Sequence, residues 1–495
     1  METGGYWTVL VVFLLILLFL KLQWDRRQFP PGPMPVPILG TLWCFGFSWQ
    51  QNTLSKLSEV YGKVFTIWIG PMPIVVVNGF HAVKQVLINQ AEETNWRVVT
   101  PFIRDSMKGK GILFSSGPAW KEQRRFAMVT LRSLGLGRKS LEYRVQEEAG
   151  KLVEIFSSKK GKAFDPSLPL FHSISNVISS VVFGHYFSIH DETFSKLIEC
   201  IEYMAHFFLS TFHLLYELSP WLMRHLPGPH QKAFSCLEFI HLFGRNEIQK
   251  HLEKKKPEDE PQDFIDFYLD EIDKKKHDLT STFDEDNLVY VIYDLFTAGT
   301  DTVATTLRWA LLFMVVHPDV QEKIQEEIDT VLTPSQQIFY EDRKNMPYTN
   351  AVIHEIQRFK FVLLVGTFRL CAKDGAVLGF PIKKGTVIAP DIASALYDPE
   401  QWETPHQFNP NHFLDKDGKF FTRDAFIPFS LGQRLCLGEN LAKMELFLFL
   451  TNLLQAFTMK HLEGTKELSI RPVQGRFAVQ PFPYMIRAVP RKAAA

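Results

Sequence analysis

Between residues 429 and 438 the chain reads Phe-Ser-Leu-Gly-Gln-Arg-Leu-Cys-Leu-Gly, and a strong helical run, Glu439 to Phe457, follows at once. A cysteine at a helix N-terminus meets backbone N–H donors and the positive end of the helix dipole, and both favour its thiolate. Gly432 and Gly438 lack Cβ atoms and let the backbone wrap close to a large flat ligand. Arg434 offers a guanidinium matched to a carboxylate, and Phe429 can shield the sulfur from water. A buried structural cysteine in a tight turn is the plainer reading of any lone cysteine. The combined spacing of Phe429, Gly432, Arg434, Cys436 and Gly438 argues instead for a metal-binding thiolate.

The N-terminus sets a second constraint. Tyr6 to Leu20 is an uncharged apolar run, which Leu22 and Trp24 extend if Lys21 snorkels to the headgroups. A cleaved signal peptide needs a basic leader and a small-residue cleavage site. Here the leader is Met1-Glu2-Thr3 and Lys21-Leu22-Gln23-Trp24 follows the run, so the reading is an uncleaved anchor over residues 1–25. Lys21, Arg26 and Arg27 behind it place the rest of the chain in the cytosol by the positive-inside rule. Residues 26–40 hold a proline run, Pro30-Pro31-Gly32-Pro33-Met34-Pro35-Val36-Pro37, which reads as an extended linker or a stiff spacer.

Residues 41–495 read as one large domain, mainly α with small β-sheets. Val64–Ile69 and Ile74–Val77 are strand-like, with sparser strand signals near Val377–Ile388 and Val479–Ile486. Leu141–Ser157, Ala304–Leu332 and Ala351–Phe359 show helical periodicity. Forty-three phenylalanines supply a core deep enough to enclose a bulky apolar cofactor. Lys plus Arg equals Asp plus Glu at 54 each, so no global field points to nucleic acid. Five widely spaced cysteines without a CxxC disfavour zinc ribbons and covalent haem attachment, and suit a reducing compartment. The apolar stretch 205–228 reads either as core helix or as a segment that dips into a membrane.

The fixed positions Phe429, Gly432, Arg434, Cys436 and Gly438 resemble the cysteine-ligand signature of the cytochrome P-450 superfamily. Three further motifs extend the resemblance. Ala298-Gly299-Thr300-Asp301-Thr302 lies within a helix from about Glu285 to His317. Its small residues leave room over a cofactor, a π-bulge or local opening could hold dioxygen and water, and Asp301 with Thr302 looks like the family's proton-delivery pair. Glu355 and Arg358 share a helix face, and the resemblance pairs them with His412 in a buried structural network. Trp120 and Arg124, with Arg97 and Arg369, correspond to contacts with haem propionates. Thr130 to Gly135 and Met346 to Glu355 look most like family 2, although Val98 and Phe368 stand where relatives often carry proline.

The resemblance implies a cytochrome P-450 fold behind a single transmembrane helix, with haem b held by Cys436, whose thiolate would push electron density onto iron. It implies a monooxygenase of the endoplasmic reticulum membrane, facing the cytosol. The enzyme would hydroxylate or epoxidise fatty acids such as arachidonic acid, and xenobiotics. No dinucleotide or flavin fingerprint is present in the sequence, so electrons would come from another protein, which the resemblance implies is an NADPH-dependent partner reductase aided by a haem-b cytochrome. Candidate docking cations are Lys121, Arg125, Arg132, Arg138 and Lys443. Phe102, Phe208, Ala298, Val362, Val365 and Phe477 are candidate cavity residues, with Arg104 or Arg476 for a substrate carboxylate. Two rivals stay open: a haem-thiolate isomerase that rearranges peroxides, and a non-enzymatic haem sensor.

Overall fold

The computed structural model describes residues 3–45, 51–135, 139–208, 210–256, 260–333, 336–363, 366–462, 464, 468–473 and 479–491. The chain forms two compact units. The first comprises Met1–Val98, Leu363–Pro405 and Asp424–Leu435; the second comprises Val99–Val362, His406–Arg423 and Cys436–Ala495.

In the first unit, helix α1 (Thr3–Arg26) leads into a five-stranded sheet. Its strands are β1 (Val64–Ile69), β2 (Met72–Val77), β3 (Trp96–Arg97), β4 (Arg369–Leu370) and β5 (Val387–Pro390), in the spatial order β1-β2-β5-β4-β3. Phe65, Ile67, Ile74, Val76, Val387 and Ala389 alternate onto one face and pack with Phe45 and Leu54. β2 and β5 pair in parallel, Ile74 opposite Val387, although they are far apart in the chain. The strand signal at Val377–Ile388 resolves into the hairpin Gly375–Val377/Phe380–Ile382 and β5.

The 21 residues Tyr6–Arg26 are long and apolar enough to cross a membrane, and their apolar side chains are almost all exposed. At about 1.5 Å per residue they rise roughly 32 Å, close to a hydrocarbon core. The proline segment behind them is not a free linker. Thr66 of β1 donates its backbone N–H to Pro31 O at 2.8 Å and its hydroxyl to Pro30 O at 3.0 Å. Prolines cannot donate, but their carbonyls here cover the outer edge of an edge strand. A Cβ on Gly32 would lie 2.0 Å from Thr66 O, so only glycine permits this approach. The end of α1 joins in: Gln23 donates to Pro35 O at 3.1 Å and Arg26 to Gly32 O at 2.8 Å.

The second unit is helical. Its site-forming helices are α2 (Pro101–Met107), α3 (Gly117–Ser133), α4 (Lys139–Ser158), α5 (Ser167–Val182), α6 (Glu192–Phe207), α7 (Thr211–Leu218), α8 (Pro229–Lys254), α9 (Glu285–Val316), α10 (Pro347–Phe359) and α11 (Glu439–Ala456). The helical signal over Ala304–Leu332 is broken by Pro318 into α9 and a separate helix, Pro318–Val331. α9 is the spine: Asp284 caps it by accepting from Asn287 N, and most of its 32 residues are buried. The expected strand at 479–486 is displaced. A strand forms only at Ile486–Pro490, which pairs with Phe457–Lys460 and Ala163–Phe164. The core-helix reading of 205–228 fails for its outer face. Phe212, Leu215, Trp221, Leu222 and Leu226 are exposed there.

Candidate functional site

In the second unit, Cys436 is accessible to solvent, yet burial is the largest influence on its titration. The N–H groups of Gly438 and Glu439, at the start of α11, donate to the sulfur, and Arg124 adds positive potential. All three favour the thiolate, but burial and the Glu439 carboxylate oppose them, and the thiol stays above its ordinary range. The helix terminus thus pulls the Cys436 thiol down, as the sequence leads one to expect, but burial outweighs it. A bound metal would deprotonate it outright.

The φ of Gly438 is −89°, and a Cβ there would make only an ordinary 4.0 Å contact with Cys436 Sγ. The protein's own backbone does not demand glycine at that position.

Trp120 is buried on α3, with the Arg124 guanidinium one turn on and 6.0 Å from its ring centroid. Burial disfavours the Arg124 charge, and an anionic group at this face would offset that cost. On α9, Ala298 is exposed in the middle of an otherwise buried helix and Thr302 is half-buried one turn further on. The helix thus opens onto free space at this point. Thr302 Oγ1 donates to Ala298 O at 2.8 Å, which leaves its lone pairs to accept a bond from that space. Asp301 is buried and lies on another face of the helix.

Of the π-bulge and the local opening, the π-bulge is absent, because α9 is regular throughout, and the opening lies at the exposed Ala298. Gly299 also serves packing: its Cβ would lie 2.5 Å from Ile178 Cδ1, so glycine lets α9 approach α5.

α10 carries Glu355 and Arg358, whose side chains have no exposed surface. Arg358 donates from Nε to Glu355 Oε2 and from Nη2 to Oε1, each at 2.7 Å, and from Nη2 to Gln407 O at 2.9 Å. Asn409 N–H donates to Glu355 Oε1 at 2.8 Å, and His412 Nδ1 lies 3.2 Å from Oε2. The network thus joins α10 to the segment 407–412.

Among the candidate cavity residues, Ala298, Phe208 and Val362 retain accessible surface. Phe102 does not. It is fully buried among Phe207, Phe208, His213, Tyr216 and Phe234, so it belongs to the packing of α2 against its neighbours. Val365, Phe477, Arg476 and Arg138 lie outside the described residues. Of the candidate docking cations, Lys121, Arg125 and Arg132 are exposed, whereas Lys443 is held by Glu439 at 2.7 Å. Arg104 lies 3.8 Å from the Asp105 carboxylate, which compromises it as a substrate-carboxylate partner.

Sequence reasoning missed Asp294, which accepts the N–H groups of Ile112 (2.6 Å) and Leu113 (2.8 Å) and fixes that loop to α9. A single acid inside an apolar helix was its only signal.

The first unit carries a set of three buried guanidiniums. Arg97 on β3 pairs in register with Arg369 on β4. Arg97 donates to Thr367 Oγ1, Arg369 reaches Ser430 Oγ at 3.5 Å, and Arg434 Nε donates to Asn95 O at 2.9 Å. Their chemistry suits carboxylates. Phe429 is half-buried. Ser430 and Gly432 both take left-handed φ, +65° and +73°. A Cβ on Gly432 would lie 2.1 Å from Leu87 O, so this glycine is required by the fold itself.

The sequence model of the family described as Cytochrome P450 matches residues 30–488. The chain belongs to the cytochrome P450 family. Cytochrome P450 2A5 of Mus musculus is 41% identical over 99% of this chain and 100% of the relative. Cytochrome P450 2J2 of Homo sapiens is 41% identical over 97% of this chain and 95% of its own length. Cytochrome P450 2C44 of Mus musculus is 40% identical over 99% of this chain and 100% of its own. As a cytochrome P450 the chain is an oxidoreductase of the monooxygenase class, and the family's cofactor is haem. The residues present fit that group: a solvent-accessible cysteine whose sulfur has two N–H donors, and a buried helix that opens at Ala298.

Proposed function

We propose that this P450 oxidises lipophilic organic substrates, fatty acids and foreign compounds among them, with the Cys436 sulfur as the group that would hold the iron of haem b. The single observation that supports this most is Cys436 itself, accessible to solvent and taking two N–H bonds from the start of α11. Those two bonds and Arg124 hold the thiolate once a metal removes its proton. Trp120 and Arg124, and likewise Arg97, Arg369 and Arg434, would be donors for haem carboxylates; Phe429 would shield the group from water, and Gly438 gives its N–H to the sulfur. Bound haem supplies the activation of dioxygen, one atom of which enters the substrate while the other leaves as water.

Thr302 accepts a hydrogen bond on the open side of α9 and hands on a proton that Asp301 replenishes. Ala298, Phe208 and Val362 offer apolar surface to the substrate. The network of Glu355, Arg358 and His412 keeps the fold in register. Electrons come from NADPH through a partner reductase, with a haem-b cytochrome as a possible second donor, and Lys121, Arg125 and Arg132 are the docking cations. Residues 1–25 anchor the chain in the endoplasmic reticulum membrane, 26–40 connect, and 41–495 form the catalytic domain on the cytosolic side.

The deciding experiment is the reduced, carbon monoxide-bound spectrum of the full-length holoprotein. A red-shifted Soret band that is lost in Cys436→Ala is expected. A correctly folded wild-type protein without the red shift overturns the assignment. Thr302→Ala should keep consuming NADPH while product per NADPH falls by about tenfold or more. Undiminished coupling would remove Thr302 from proton delivery. Turnover of a peroxide without NADPH would favour the isomerase reading instead.

A further inference from the structure

Helices α6 and α8 carry matched stripes at helical spacing: Lys196, Cys200 and Tyr203 on one, Lys232, Cys236 and Phe239 on the other. They meet in antiparallel register. Lys196 Nζ lies 4.5 Å from the Phe239 ring centroid at one end of the seam, and Lys232 Nζ lies 4.4 Å from the Tyr203 ring at the other. Tyr203 Oη also donates to Pro229 O at 2.9 Å, which fixes the second rung. Counting inward along both helices sets Cys200 opposite Cys236, near enough for the Cys236 thiol to push that of Cys200 up. Small residues in the middle of the seam leave a cleft of about 580 Å³, which both sulfurs line. Neither cysteine takes part in the haem site.

We propose that Cys200 and Cys236 form a reversible dithiol–disulfide site that staples α6 to α8 and is oxidised by small hydroperoxides reaching it through the cleft. The Cys236 sulfur attacks the peroxide O–O bond, giving a sulfenic acid and releasing an alcohol, or water from hydrogen peroxide. The Cys200 sulfur then attacks the sulfenic sulfur; the S–S bond forms, the S–O bond breaks, and one water leaves. In sum, the two thiols lose two electrons and two protons, and the peroxide gains them. Burial, and then the neighbouring Cys236 thiol, push the Cys200 thiol up to about 12, which disfavours it as the first nucleophile; its resolving step relies on adjacency to the sulfenic sulfur and not on acidity. A cytosolic disulfide of this kind is transient and redox-responsive.

The test treats full-length, haem-loaded protein with diamide, which takes the same two electrons and two protons and becomes its hydrazine. Free thiols are then blocked, and the protein is digested and mapped by mass spectrometry. The expected dominant product is a Cys200–Cys236 cross-linked peptide two hydrogens lighter than its parts. It should be reversed by dithiothreitol and absent from Cys200→Ser and Cys236→Ser. Recovery of both cysteines as free thiols while the half-buried Cys44 reacts overturns the proposal, as does a disulfide only between separate chains. The carbon monoxide spectrum reads the haem assignment separately, so failure of one is distinguishable from failure of the other.

Discussion

Arg358→Ala is expected to yield almost no haem-loaded protein. The guanidinium makes both of its carboxylate bonds at 2.7 Å in a site with no exposed surface, and its removal also strips Gln407 O of a donor. Glu355 would keep the Asn409 N–H and His412 but lose its counter-charge. Breaking a buried pair in this way costs about 3–5 kcal/mol, against a net stability of about 5–15 kcal/mol for a typical fold. Arg358→Lys should not rescue it, because an ammonium cannot make both bonds of the planar fork. The measurements are reduced carbon monoxide absorbance per milligram and thermal unfolding. Full haem occupancy in Arg358→Ala would show that segment 407–412 is held by something else.

The second large effect is expected at Gly432. An alanine there meets two penalties at once: a left-handed φ of +73°, about 1–2 kcal/mol for a residue with a Cβ, and a Cβ 2.1 Å from the Leu87 carbonyl oxygen. The obstacle is backbone, so the tight turn 432–434 itself must shift, together with the Arg434 bond to Asn95 O. Gly432→Ala should lower the unfolding temperature markedly and abolish the red-shifted carbon monoxide band. Gly438→Ala is the control for the chain itself, since it has negative φ and meets only the sulfur at 4.0 Å. Equal thermal destabilisation by the two substitutions would refute the steric account.

The contrast between these glycines shows what the sequence could convey. Spacing alone singled out the loop 429–438, the small-residue turn on α9 and the strands beside Gly70, because each is a local pattern. It conveyed residue type but not cause. Gly299 serves the approach of α9 to α5, and burial outweighs the helix terminus at Cys436. Long-range adjacency was legible only through the family resemblance, as with Glu355 and His412. Where no motif marked it, as with Cys200 opposite Cys236, or with Asp294 and the loop 112–113, it could not be read. Phe102 looked like a cavity residue because aromatic character does not distinguish a ring that faces space from one that fills it. The exposed apolar face of 211–226 has the composition of a core helix and was ambiguous for the same reason.

The bonds from Thr66 to Pro30 and Pro31 bear on how this chain can be shortened for work without a bilayer. A cut before Pro30 removes the apolar span and keeps the carbonyls that sheath β1. A cut a dozen residues later strips that sheath and bares a β-branched strand to pairing with other molecules. Solubility should therefore worsen, rather than improve, as the deletion grows past the prolines.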